Sequence, residues 1–469
     1  MNSEAELLAA IAPADGPSRE VHDPATDEVI GRAPVHGPAD LDRAIARATA
    51  AQPAWAALGD DERRATLHRV ADAIEAAAEP LARVLSREQG KPLNGPNARF
   101  EVGACVGWLR ATAETPLPGE VVVDDGETYA ELHYRPVGTV AAITPWNWPM
   151  MIAIWQIAPA LRMGNTVVAK PSEYTTLSGL ALATVMNEVL PEGVLEVVAG
   201  DGAVGAEMVA RPEFGKIMFT GSTATGKRII EASAGNLTRL TLELGGNDAG
   251  IVLPDVDPAA IAEGLFWGAF INTGQTCAAM KRLYVHDDVY DAVCESLTAF
   301  AAQMPMGVGL DEQNVLGPLQ NGMQFGVVDR LVEAAKASGA RVLVGGEPDR
   351  EQPGHFYPTT LVADIDPQNP LVVEEQFGPA LPIIRYSDVD EAVRLANDVE
   401  VGLGASVWSG DRDRAREIAA RLEAGTVWIN SHGGVHPMIP FGGVKQSGYG
   451  LEFGVEGLKA VSVPQVVNG

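Results

Sequence analysis

Thr139-Val140-Ala141-Ala142-Ile143-Thr144-Pro145-Trp146-Asn147-Trp148-Pro149 is a short apolar run that breaks into a polar turn. The pattern recurs. Thr166-Val167-Val168-Ala169 leads into Lys170-Pro171-Ser172-Glu173, and Lys216-Ile217-Met218-Phe219 leads into Thr220-Gly221-Ser222-Thr223. Residues 194–198 form a further apolar run, and helical patterns fall at residues 176–189, 203–210 and 225–234. Buried strands alternating with amphipathic helices predict an α/β fold: a parallel sheet with helices on both faces. Ligands of such sheets sit at the C-terminal edge of the strands. All three polar turns follow a strand.

A second strand–helix series begins near Asp248. It comprises residues 249–253, a helix at 258–272, a strand at 282–286, a helix at 289–303 and a strand at 341–345. Cys277 lies near its start. Upstream, residues 22–34 read as an edge hairpin turning at Asp23-Pro24-Ala25-Thr26-Asp27, and residues 40–110 as helices by their three- and four-residue apolar spacing. Residues 120–134 read as a β ribbon turning near Asp124-Asp125-Gly126. The tail, Lys459-Ala460-Val461-Ser462-Val463-Pro464-Gln465-Val466, alternates. With nothing of its own to pair with, such a strand is a candidate for pairing between subunits.

The 469 residues are too many for one small core, so two or three domains are expected. The net charge is −28, from 62 acidic and 34 basic side chains. That surface repels phosphate backbones and anionic headgroups, which argues against nucleic-acid and membrane partners. Three cysteines, Cys105, Cys277 and Cys294, are too few and odd in number for a disulfide framework. They point to a reducing, cytoplasmic setting. The N-terminus has no secretory pattern, and no run is long and apolar enough to span a membrane.

Cys277 follows a helix and stands among small and polar neighbours. It is either a small buried core residue or a nucleophile, and a nucleophile must be partly thiolate. Cys105 and Cys294 sit inside helical patterns as core thiols. Glu243, in Leu242-Glu243-Leu244-Gly245-Gly246-Asn247, either faces solvent by strand alternation or is a buried carboxylate with a task. Asn147 is a turn residue or an amide donor for an oxyanion. Thiol, base and amide are the parts needed to attack a carbonyl and hydrolyse a thioester. Residues 219–226 read as strand, glycine turn and helix start, an anion site by geometry without the G-x-G-x-x-G spacing. His432 and His436 have i, i+4 spacing, but Gly433, Gly434 and Pro437 oppose a helix there, and no metal site is assembled.

Together these motifs resemble the aldehyde dehydrogenase superfamily over nearly the whole chain. Glu374-Glu375-Gln376-Phe377-Gly378-Pro379, Trp428-Ile429-Asn430 and Pro440-Phe441-Gly442-Gly443-Val444-Lys445-Gln446-Ser447-Gly448 belong to the same pattern. The resemblance implies two Rossmann-like α/β domains: residues 1–116 with 137–245 bind NAD, and 246–455 form the catalytic domain. Residues 117–136 and 456–469 would make a β oligomerisation element, giving homodimers or homotetramers. Cys277 would be the nucleophile, Glu243 the base for the deacylating water and Asn147 the oxyanion donor. Lys170 and Glu173, with Ser172 beside them, would hold the adenosine ribose, and Ser222 the pyrophosphate. Glu375 would hold the nicotinamide ribose, with Phe377 packed nearby. Ile143, Thr144, Pro145, Trp146, Phe219, Thr220, Gly221, Leu244 and Gly245 would complete the cofactor cleft. Glu173 favours free ribose hydroxyls and hence NAD, while Lys170 leaves NADP open.

Two departures from the pattern are Leu451, where arginine is common, and Gln376, where an apolar residue is common; neither is expected to touch the chemistry. The substrate pocket implied by analogy is Trp148, Met151, Ile152, Trp155, Ile271, Thr276, Val435 and Phe441. The succinate-semialdehyde branch carries an arginine where this chain has Trp155, so an apolar or aromatic aldehyde is expected over an acidic one. A small hydroxyaldehyde such as lactaldehyde stays open. The rival readings are a CoA-acylating semialdehyde dehydrogenase, which typically lacks the base that Glu243 would supply, and a non-catalytic binding protein of the same fold, which has no need of Cys277, Glu243 and Asn147 together.

Overall fold

The computed structural model describes residues 3–13 and 15–469. Its first large sheet has six strands in the order Gly448–Tyr449, Arg239–Glu243, Phe214–Thr220, Thr139–Ile143, Thr166–Lys170 and Leu195–Val197. All neighbours are parallel except Gly448–Tyr449, which runs antiparallel along Arg239–Glu243. Thr139–Ile143 and Thr166–Lys170 are buried at every position, as central strands covered on both faces must be. The second sheet has seven strands, with Met280–His286 and Asp248–Val252 near its centre. It is parallel except for the pairing of Arg341–Val344 with Thr360–Ala363 at one edge.

The register explains why the motifs meet. Ile143 is the Cα partner of both Lys170 and Phe219. The three polar turns therefore leave the sheet at one edge and one level. From the first, helix Pro149–Arg162 begins with proline at its N-terminus and is buried on all sides, which its apolar sequence permits.

Three expectations need correction. The tail strand Ser462–Asn468 has a partner in its own chain: it lies antiparallel along Tyr129–Pro136, in a three-stranded sheet completed by Gly119–Asp124. The helix expected to reach residue 272 ends at Phe270: Ile271 turns extended (ψ 134°), and Asn272 and Thr273 follow in left-handed backbone (φ 50° and 56°). The strand expected from residue 282 begins at Met280, which draws Lys281 into the sheet. No helix among the described residues is long and apolar enough to cross a membrane.

Candidate active site

Cys277 sits on the turn between helix Pro258–Phe270 and strand Met280–His286. Asn272, Thr273 and Gly274 are left-handed in succession, which swings the chain away from the helix axis and out over the sheet edge. Only glycine fits at 274, since a Cβ there would stand 2.3 Å from the Gly378 carbonyl oxygen. The turn is tied down by Asn147, whose Nδ2 donates to the Gln275 carbonyl at 3.0 Å. Trp148 Nε1 donates to Thr276 Oγ1 at 2.9 Å.

One amide hydrogen of Asn147 is thus committed and the second is left for an oxyanion. Its backbone is held as firmly. The Asn147 carbonyl accepts from Lys91 Nζ at 2.7 Å and from Asn272 Nδ2 at 2.8 Å. Lys91 is fully buried, paired with Glu101 at 2.6 Å and stacked 3.6 Å over the Trp148 ring. Glu101 in turn accepts from the Met150 and Met151 N–H groups at the start of the following helix.

Burial pushes the Cys277 thiol up to about 12; Lys281 opposes that, while Asp248, Glu243 and Glu375 add to it. At neutral pH the resting sulfur is a thiol. Glu243, at the end of its strand, is buried rather than solvent-facing, and neither carboxylate oxygen has a hydrogen-bond partner among the described residues. Burial, reinforced by the neighbouring Glu452, raises its carboxyl well above the usual range. Glu452 is itself pushed to about 8 by burial, against the pull of Lys216.

The cofactor candidates occupy the sheet edge. Ser222 caps helix Thr223–Ser233 by accepting from the Thr225 N–H. Thr220 Oγ1 accepts from Gln156 Nε2, and the Gly221 N–H donates to the Glu243 carbonyl. Leu244 packs against Gly226 of the helix, and its N–H bonds the Ser447 carbonyl. The Thr144 N–H bonds the Lys170 carbonyl, joining two of the turns. Pro145 beside it is half-buried. Lys170 is buried and lowered by desolvation, with Glu173 and Asp201 as counter-charges. Ser172 accepts from the Tyr174 N–H, and Arg19 donates to the Glu173 carbonyl.

Glu375 accepts from the Gly246 N–H at 3.2 Å. A Cβ at 245 would stand 2.4 Å from its carboxylate, so a side chain there would displace Glu375. Trp146 and Phe377 meet edge to face at 5.4 Å. A helix N-terminus for phosphates, a lysine–carboxylate pair at one strand end and a second carboxylate beside a glycine cradle form a donor set suited to a dinucleotide.

A largely apolar cavity of about 710 Å³ ends on Cys277. The eight side chains proposed for a substrate pocket all line it, joined by Phe100, Trp108, Trp267 and His432. Trp108, Trp155 and Phe453 form an aromatic cluster with centroids 4.8–5.6 Å apart. His432 lies in a loop of the wall, its ring 2.8 Å from Ser406 Oγ and 3.6 Å from Asp248, whereas His436 is exposed. No group of three His, Cys, Asp or Glu among the described residues is placed to hold a metal.

Sequence reading overlooked Lys281, Glu452, Asp248 and the Lys91–Glu101 pair. Lys281 had one available signal: two adjacent cations, Lys281 and Arg282, inside Ala278-Ala279-Met280-Lys281-Arg282-Leu283-Tyr284-Val285, a run otherwise fit for a buried strand. Gln376 lies closer to the chemistry than expected. It is buried between Glu375 and Phe377 and donates to the carbonyls of Lys281 and Ala380.

The model of the "Aldehyde dehydrogenase family" matches residues 11–467. Geranial dehydrogenase of Castellaniella defragrans is 40% identical over 96% of this chain and 95% of its own length. Phenylacetaldehyde dehydrogenase of Pseudomonas fluorescens is 39% identical over 94% and 90%. PnpE of Pseudomonas sp. WBC-3, solved in complex with nicotinamide adenine dinucleotide, is 38% identical with a TM-score of 0.94, covering 98% of this chain and 95% of its own. The chain belongs to the aldehyde dehydrogenase family and is an NAD(P)-dependent enzyme that oxidises an aldehyde to its carboxylic acid.

Proposed function

We propose that this enzyme oxidises an apolar or aromatic aldehyde with NAD and releases the acid by hydrolysis. The observation that carries the reading is the cavity: largely apolar, with Trp148, Trp155 and Cys277 in its lining and no Lys or Arg. A distal carboxylate buried there would lack a cationic partner from the wall, a cost of several kcal/mol. The geranial and phenylacetaldehyde relatives fit this reading. Another relative, 37% identical, is named for glutarate semialdehyde, so the substrate is decided by assay.

Bound oxidised nicotinamide supplies a hydride acceptor and a positive charge. Lys170, Ser172 and Glu173 hold the adenosine end, the turn Phe219–Ser222 the phosphates, and Glu375 and Phe377 the nicotinamide end. The Cys277 thiol gives up its proton to solvent, and its sulfur adds to the aldehyde carbon. The second Asn147 amide hydrogen and the Cys277 N–H hold the oxyanion. Loss of hydride from that carbon leaves a thioester on Cys277. Glu243 takes a proton from water, the hydroxide adds to the thioester carbonyl, and the carbon–sulfur bond breaks to release the acid. Because burial raises the Glu243 carboxyl, deacylation gains rate as rising pH frees the carboxylate.

Residues 1–116 with 137–245 serve as the cofactor domain and 246–455 as the catalytic domain. The sheet built from 117–136 and 456–469 joins subunits into a homodimer or homotetramer. Three unpaired cysteines suit a cytoplasmic setting. The test is NADH or NADPH formation from a panel of aliphatic, aromatic and carboxylated aldehydes without CoA. Turnover of uncharged aldehydes with NAD, abolished in Cys277→Ala, supports the reading. Turnover confined to semialdehydes, or dependent on CoA, overturns it.

A further inference from the structure

Lys281 is the second residue of a strand buried in a parallel sheet, a costly place for an ammonium unless its donors are used. All three are. Nζ lies 2.7 Å from the Cys277 carbonyl, 2.8 Å from that of Thr276 and 3.3 Å from that of Ala279. Each acceptor belongs to the turn that carries the sulfur. On its other side Nζ stands 3.6 Å from Glu375 Oε1. The remaining charged groups acting on the thiol are carboxylates: Asp248, Glu243 and Glu375. Glu452 stands behind Glu243, and His432 beside Asp248. One cation therefore faces three acids around a sulfur that must become anionic.

We propose that Lys281 is a positioning residue: its ammonium clamps the Thr276–Ala279 turn and supplies the counter-charge for the Cys277 thiolate, a charge it shares with Glu375. This rests on the reading of Cys277 as nucleophile. The sharing has a direction. Whatever draws the Glu375 charge away leaves more of the ammonium's field for the sulfur. Removing the ammonium leaves the thiolate against three carboxylates.

The test is alkylation of the cofactor-free protein by iodoacetamide between pH 7 and 9.5, with the adduct located by peptide mass spectrometry. Lys281→Met should react about ten-fold more slowly than wild type at each pH, a displacement of about one pH unit in the log-rate line. Glu375→Gln should react several-fold faster. A loosened fold would also expose the thiol, so each variant is first shown to keep the wild-type near-UV circular dichroism and thermal midpoint; acceleration in a natively folded Glu375→Gln then decides the matter by its sign even where Lys281→Met folds poorly. Wild-type rates in Lys281→Met, or slowing in both variants, would overturn the proposal. An adduct on Cys105 or Cys294 accompanied by loss of activity would instead bring down the assignment of Cys277, and this proposal with it.

Discussion

Substituting Glu452 by glutamine tests how the base is tuned. Glu243 and Glu452 are both buried, and none of their four carboxylate oxygens has a hydrogen-bond partner among the described residues. Burial lifts Glu452 from 4.5 to about 8, while Lys216, buried nearby, is pulled down to about 7. A carboxyl whose folded value lies above its unfolded value lends its full stability below pH ~4.5 and loses it as pH climbs to about 8. At about 1.4 kcal/mol per pH unit, and allowing for relaxation of the buried site, the loss is roughly 3–5 kcal/mol. Glutamine keeps the shape and has no such loss. Above pH 8 Lys216 is largely neutral, so the exchange strands no cation there. Glu452→Gln should therefore gain on wild type by roughly 3–5 kcal/mol between pH 5 and pH 9, measured by urea unfolding at fixed ionic strength and protein concentration. The same exchange removes the negative neighbour that adds to the effect of burial on Glu243. The pH at which deacylation reaches half its maximum should fall. A stability difference equal at both pH values, or a deacylation profile that does not move, would refute this account of the pair.

Other variants probe the rest of the site. Asn147→Ala should lower kcat by about 10²–10³ with little change in KM, by loss of one preorganised oxyanion donor; stopped-flow NADH formation reads it. Lys91→Met breaks a fully buried ion pair and frees the Asn147 carbonyl, so thermal and denaturant unfolding should report a loss of about 3–5 kcal/mol. Trp155→Arg puts a cation into the apolar cavity. KM for an apolar aldehyde that the wild type turns over should rise about ten-fold or more, and a carboxylated aldehyde should gain turnover relative to wild type.

The sheets were legible because central parallel strands must be apolar throughout, and runs such as residues 139–143 and 166–170 announce themselves. The polar turns were legible because a strand end in such a sheet is where chemistry is expected. What the sequence withheld lies in long-range pairing and local backbone. Glu452 meets Glu243 only because Gly448–Tyr449 adds itself to the edge of Arg239–Glu243. The tail's partner is some 330 residues upstream, as in Val463 beside Arg135. The shortened helix before Cys277 depends on left-handed Asn272 and Thr273, neither of which is glycine. Lys281 was hidden by the two-residue error in where its strand begins, which is the usual scale of boundary error.

The antiparallel strand Gly448–Tyr449 also sets an order of assembly. Its partner Glu243 is made about two hundred residues earlier, and closing so long a loop delays the pairing relative to the local strand–helix units. A nascent chain halted before residue 448 already holds the thiol and the base but lacks the wall that buries the base. In that state Glu243 is an ordinary exposed carboxylate, and the thiol lies beside an unfinished cleft. Competence thus arrives as one late event during biosynthesis, and a chaperone or protease meeting the earlier species encounters an open sheet edge at the very strand that carries the base.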